Sequence, residues 1–107
     1  MTIHRLDLDV AIYRDRVQVT HRATQKFVDQ WAQVAFSSDS SLVAHPRYLE
    51  DTIVRAIRKV LVEGGFLMRD PVAYVVSCET PLDDDERAIV ESALTEAGMR
   101  KVVFEID

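Results

Sequence analysis

The chain is poor in residues that bend or cross-link a backbone. Its 107 residues include three glycines, three prolines and one cysteine, Cys78, and the first 36 residues contain no glycine. A single cysteine cannot form an intrachain disulfide, so a disulfide-stabilised secreted fold is excluded and the reducing cytoplasm is expected. No run of about 18 apolar residues occurs, so we expect no membrane-spanning helix.

The chain also has a deficit of positive charge. Thirteen Lys and Arg residues oppose 18 Asp and Glu residues, which gives a net charge of −5. A protein that binds nucleic acid normally carries a basic surplus, so we expect no nucleic-acid partner. The hydrophobic content of 48% is typical of a folded protein, and the length accommodates one domain, which we assign to residues 1–107.

The first third of the chain has the two-residue periodicity of β-strands. Apolar residues alternate with polar ones from Leu6 to Ile12 and again from Val17 to His21, and a third strand is predicted from about Lys26 to Phe36. The polar breaks between them are short enough for hairpin turns. Three consecutive strands of this kind predict an antiparallel meander with one packed face and one solvated face.

The rest of the chain alternates between helical and strand patterns. A helix is predicted from Pro46 to Gly64-Gly65, and an apolar strand from Val72 to Cys78. The acids of Asp83 to Glu86 suit the start of a second helix, where they act as a cap and as charges favoured by the helix dipole rather than as metal ligands. Gly98 ends this helix, and a last strand runs from Lys101 to Ile106.

These elements predict an α/β fold with the order βββαβαβ. Right-handed crossovers place both helices on one face of a five-stranded mixed sheet of order 3-2-1-4-5. This order is that of the first half of an actin-like ATPase domain, the ribonuclease-H-like unit. The sequence from Ala73 to Phe104 resembles the bacterial actin homologue MreB, through Glu86-Arg87-Ala88-Ile89-Val90 and Glu96-Ala97-Gly98-Met99-Arg100-Lys101-Val102. Chance patterning is the alternative, and a different sheet order would favour it.

The resemblance fails where the family holds nucleotide. Actin-like ATPases bind phosphates with a hairpin whose first strand ends in Asp, an apolar residue, Gly and Ser or Thr. Aligning the hairpins places Ala11-Ile12-Tyr13-Arg14 on those positions, without the acid or the glycine. We therefore expect no nucleotide cofactor and no enzymatic activity. The resemblance implies a truncated, regulatory relative of a rod-shape protein, with a role in cell morphogenesis.

Two functional hypotheses follow from the residues. In the first, the last two strands carry apolar residues on both faces, so that a homodimer or a protein partner, such as an actin-like filament protein, covers the face without helices. The candidate interface residues are Trp31, Ala73, Val75 and Val103. The alternative is a metal-dependent enzyme of the ribonuclease-H-like class that uses Asp7 and Asp9, which lie on one strand face at i and i+2. We interpret Cys78 as a buried structural residue.

Overall fold

The computed structural model describes residues 5–106. Within that range the chain forms five strands and two helices in the predicted order. The elements are β1 (Asp7–Tyr13), β2 (Arg16–His21), β3 (Phe27–Trp31), α1 (Pro46–Gly64), β4 (Val72–Cys78), α2 (Asp84–Glu96) and β5 (Lys101–Phe104).

The sheet order is β3-β2-β1-β4-β5, as predicted from the sequence. β1, β2 and β3 pair antiparallel, whereas β4 pairs parallel with both β1 and β5. Helix α1 packs over β2 and β3, α2 packs over β5, and the two helices contact each other. Both helices therefore cover the same face, since right-handed crossovers in one direction place them together.

The core lies between the two helices and the alternate strand residues that face them. Leu8, Val10 and Ile12 of β1 have no accessible surface, and Ile53 of α1 and Leu94 of α2 complete the same cluster. Burying one such side chain contributes about 1.5–3 kcal/mol relative to leaving it exposed. Alternation along β1 is thus the main local signal that orients the sheet.

One irregularity interrupts the pairing of β1 with β4. Val10 pairs with Val75, but Ala11 pairs with Ser77, so that Val76 is an extra residue on β4. Such a bulge bends the strand and changes which residues of β4 face the helices beyond it. Val76 is exposed as a result.

The helix ends follow the sequence signals. Pro46 begins α1, and Gly65 ends it with a φ of +68° while its N–H donates to the Leu61 carbonyl. Helix α2 begins with a capping box, because the Asp83 carboxylate accepts from the Glu86 N–H and the Glu86 side chain accepts from the Asp83 N–H. The interpretation of these acids as caps is confirmed.

The third strand is shorter than predicted. It ends at Trp31 instead of Phe36, and the chain then runs as a loop to Pro46. The Phe36 side chain is completely buried in the core, and the N–H of the next residue, Ser37, donates to Asp15 at 2.8 Å. These contacts draw the chain away from the sheet edge. The last strand is also shorter, ending at Phe104 instead of Ile106, although the Glu105 N–H still donates to the Val75 carbonyl.

Candidate functional site

The β1–β2 hairpin is the first candidate, because it occupies the position of a phosphate-binding hairpin in the predicted fold. Its turn consists of Arg14 and Asp15, between Tyr13 and Arg16. Asp15 has a φ of +56°, in the left-handed region where glycine is usual and aspartate is tolerated. The hairpin therefore makes its tight turn without glycine, but with side chains where a phosphate would need room.

The backbone of this turn is already hydrogen-bonded within the chain. The Arg14 N–H donates to Glu79 Oε1 at 3.2 Å, and the Asp15 N–H donates to Ser37 Oγ at 3.1 Å. The Ser37 N–H in turn donates to Asp15 Oδ1 at 2.8 Å, and the Arg14 guanidinium donates to the Ser38 carbonyl at 2.5 Å. Anion binding by a hairpin requires free N–H groups at its tip. Here both tip N–H groups have partners.

Negative charge surrounds the same end of the sheet. The N-terminus of a helix is the usual place for a bound anion, but at α2 the side chains of Asp83 and Glu86 occupy it. The Ser41 hydroxyl donates to Glu86 Oε2 at 2.7 Å and fixes that carboxylate. Asp84 and Asp85 lie in the first turn as well. These carboxylates oppose the approach of a polyphosphate.

The second candidate is the open face, which is the sheet face opposite the helices. It presents charged residues or aromatic rings on β1 to β4 and the apolar Val103 on β5. Its residues include Asp7, Asp9, Tyr13, Arg16, Phe27, Asp29, Trp31, Tyr74, Val103 and the flanking Arg22.

Arginine side chains neutralise the two acids proposed for metal catalysis. Arg5 donates to Asp7 Oδ1 at 2.8 Å, and Arg22 donates to Asp9 Oδ1 and to Glu105 Oε1, both at 2.7 Å. Desolvation opposes the charge on Arg22, but its hydrogen bonds to the two carboxylates outweigh this and raise its pKa. Asp7 and Asp9 do lie on one strand face, as predicted, yet each carboxylate already has a cationic partner.

Aromatic rings lie beneath these arginines. The Arg22 guanidinium lies 3.6 Å from the centre of the Tyr74 ring, and Arg16 lies 4.2 Å from the Tyr13 ring and 5.5 Å from the Trp31 ring. Arg16 also donates to Asp29 Oδ1 at 2.6 Å. The open face is therefore covered in large part by its own arginine layer. The sequence carries a signal for it, since β2 places arginine on the same face as the acids of β1.

The four predicted interface residues divide between the two faces. Trp31 and Val103 lie on the open face, and Trp31 is 64% exposed. Ala73 and Val75 have no accessible surface, because they pair with the helix-facing residues of β1 and pack in the core. The prediction that Ala73 and Val75 lie on the open face is therefore wrong. The reason is that β4 is apolar on both faces, so its orientation is set by its register with β1.

Cys78 is half-buried at the end of β4. Burial raises the pKa of its thiol to about 11, so the sulfur is protonated at neutral pH and a poor nucleophile. Across residues 5–106, no three His, Cys, Asp or Glu side chains are arranged to hold a metal ion together. No helix in that range has the length and apolarity needed to cross a membrane.

Comparison with known proteins identifies the fold. No protein-family model and no curated protein sequence matches the chain. Among solved structures, MreB5 of Spiroplasma citri bound to ADP superposes with a TM-score of 0.70 at 12% sequence identity. The match covers 94% of this chain and 38% of the MreB5 chain. The predicted actin-like half-domain fold is confirmed, and at this identity the likeness establishes the fold alone.

Proposed function

We propose that this chain is a non-catalytic binding module built on an actin-like half-domain that no longer binds nucleotide. It acts in the cytoplasm through self-association or by docking to a protein partner, such as an actin-like filament protein, and contributes to cell shape. The observation that carries the proposal is the closed hairpin tip. The N–H groups of Arg14 and Asp15 donate to the side chains of Glu79 and Ser37 of the same chain.

The electrostatics of the hairpin end support the loss of nucleotide binding. A nucleotide diphosphate or triphosphate carries several negative charges, which favour free N–H groups, basic side chains or a metal ion. Here Glu79 and the acidic first turn of α2 lie beside the hairpin, and the Arg14 side chain is committed to Ser38. We therefore propose that this chain, unlike the MreB5 structure, binds no ADP.

The distribution of apolar surface supports a binding role. Most of the open face is occupied by ion pairs, but the β3 edge exposes two large rings, with Phe27 59% and Trp31 64% accessible. Aromatic side chains at such positions are frequent anchors of protein interfaces. We therefore assign binding to the β3 side of the sheet rather than to β4.

Two measurements test the proposal. Calorimetric titration with Mg-ATP and Mg-ADP is expected to give no saturable heat, with an actin-like ATPase as the positive control. Sedimentation of the protein alone and with a purified actin-like filament protein is expected to show association in at least one case. Saturable nucleotide binding, or a protein that associates with neither itself nor the filament protein, contradicts the proposal.

A further inference from the structure

The β3 strand presents a free hydrogen-bonding edge. β3 pairs with β2 on one side only, and it is the last strand of the sheet on that side. His21 donates its N–H to the Lys26 carbonyl, and Ala32 donates its N–H to the Asp15 carbonyl. Since antiparallel bonding alternates, Lys26, Val28, Gln30 and Ala32 bond towards β2. The backbone groups of Phe27, Asp29 and Trp31 consequently point outward.

The same three residues place their side chains on the open face. They pair with Thr20, Gln18 and Arg16, which alternate with the buried valines of β2. Two exposed rings therefore flank one carboxylate along an edge whose backbone groups point away from β2, and of these the Trp31 carbonyl accepts from Gln30 Nε2. Natural edge strands are usually protected by charged side chains, proline or bulges, and within β3 the only such residue is Asp29.

The charge on this edge is already balanced. Asp29 accepts from Arg16 at 2.6 Å and from Gln18 at 3.3 Å, both across the β2–β3 pair. A second strand that approaches the edge therefore meets a neutral ion pair rather than an isolated carboxylate. This balance matters for a symmetric partner, because like charges directly opposite each other destabilise a strand pair.

We propose that β3 pairs antiparallel with β3 of a second copy of this chain, about a two-fold axis at Asp29. This inference deepens the proposed function, on which it rests, by naming the partner and the surface. The pairing joins the two sheets into one and places Phe27 of each copy opposite Trp31 of the other. Aromatic cross-strand pairs are among the more favourable in sheets.

The register follows from self-complementarity. With the axis at Asp29, all five β3 residues find a partner. The two Asp29 carboxylates lie next to each other, and each keeps Arg16 of its own copy as its counter-ion. A shift of two residues places Phe27 opposite Asp29 and leaves Trp31 without an aromatic partner. A shift of one residue would pair outward-pointing backbone groups with groups that are already bonded to β2.

The buried area predicts a weak dimer. Large aromatic side chains have roughly 150–250 Å² to bury, so four rings that are about 60% exposed supply on the order of 500 Å². Together with the backbone contacts, this falls among the transient interfaces that bury less than about 1,200 Å². Gln30 Nε2 donates to the Trp31 carbonyl at 2.8 Å, which leaves that oxygen one further lone pair for the second copy.

The first test is sedimentation from about 10 μM to about 1 mM, the range that a weak interface requires. We expect a monomer–dimer equilibrium that Trp31→Lys and Phe27→Lys each weaken by about tenfold or more. Val62→Lys is the matched control, because Val62 is 81% exposed on α1 and is not part of β3. Thermal melting checks that each variant remains folded.

The second test measures the register. In a Cys78→Ala background, Asp29→Cys should cross-link to itself with a short thiol reagent, because the axis brings the two positions together. Trp31→Cys should cross-link to Phe27→Cys in a mixture, and neither should cross-link to itself alone. Hydrogen exchange should show that the Phe27, Asp29 and Trp31 amides become protected as concentration rises.

The outcomes separate this inference from the proposed function. A protein that is monomeric at about 1 mM, forms open-ended polymers through β3 and β5, or dimerises equally well with Trp31→Lys overturns the β3 pairing. In the last case the proposed function stands with a different surface. Nucleotide binding without loss of the dimer overturns the proposed function and leaves the pairing intact.

Discussion

The two faces of the sheet are built from alternate residues of the same strands, yet they are stabilised in different ways. On the helix side, β1 contributes Leu8, Val10 and Ile12, which have no accessible surface. On the open face, it contributes Asp7 and Asp9, each bound by an arginine. The comparison teaches that a sheet face without helices does not by itself require a partner, since a layer of arginine over aromatic rings covers much of it.

The largest effect should come from breaking the helix-facing side. Leu8→Ala removes a fully buried side chain from the centre of the core, and we expect a loss of about 2–5 kcal/mol in the free energy of unfolding. Urea denaturation measures it. Thr20→Ala on the open face is the control and should cost much less. Equal losses at both positions would contradict the assignment of the core to one face.

The next effect tests the arginine layer. Arg22→Met removes two ion pairs and the contact with Tyr74, and we expect a loss of about 1–2 kcal/mol. The loss should shrink at high salt, because these charges are partly exposed. Urea denaturation at low and high ionic strength measures both quantities. Arg58→Met, at an exposed position on α1, is the control, and a salt-independent loss at Arg22 would count against an electrostatic role.

A smaller effect tests the acids at the start of α2. Asp83→Ala removes the side chain that caps the Glu86 N–H at 2.8 Å, and we expect a loss of about 1 kcal/mol. Thermal melting measures the change. Asp84→Ala, in the same turn but outside the capping box, should have less effect. The reverse order would contradict the capping interpretation.

The last effect is absent at neutral pH, appears only at alkaline pH, and concerns Cys78. Its thiol has a pKa of about 11 in the folded chain, above the ordinary value of 9.0. The unfolded chain therefore releases this proton first as pH rises, and the contribution to stability is complete below pH 9 and lost between about pH 9 and 11. We expect the wild type to lose more stability over this interval than Cys78→Ala does. If the wild type and Cys78→Ala lost the same stability between pH 9 and 11, the raised pKa would be contradicted.

The strand and helix patterns were sufficient for the topology because each carried a strong periodic signal. The alternation of β1 and the caps at Pro46, Gly65 and Asp83 made the order and direction of the elements predictable. The end of β3 was not predictable, because the apolar alternation continues to Phe36. The burial of Phe36 and the hydrogen bond between Ser37 and Asp15, both tertiary contacts, accompany the departure of the chain from the sheet.

The functional residues were predictable only in part. Trp31 was identified because a large ring on an edge strand is informative in any register. The sequence does not distinguish the two faces of β4 at Ala73 and Val75, because the strand is apolar on both faces and its orientation depends on pairing with a strand far away in sequence. The contacts of Arg22 with Tyr74 and Glu105 depend on that same pairing, whereas those of Arg16 with Tyr13, Asp29 and Trp31 depend on side-chain reach within the meander, which periodicity does not encode.

The parallel pairing of β1 with β4 has a consequence for how the chain folds. β1 is the central strand, but its parallel partner is β4, and Asp7 pairs with Val72, 65 residues later in the sequence. The hydrogen bonds on that side of β1 therefore cannot form before β4 is present. On the ribosome the three-stranded meander emerges first, with the β1 edge bare and its apolar residues uncovered. Closing a long loop is slow, and the nascent meander is exposed to aggregation until β4 is made. Until β4 pairs with it, the central strand therefore keeps one hydrogen-bonding edge unprotected.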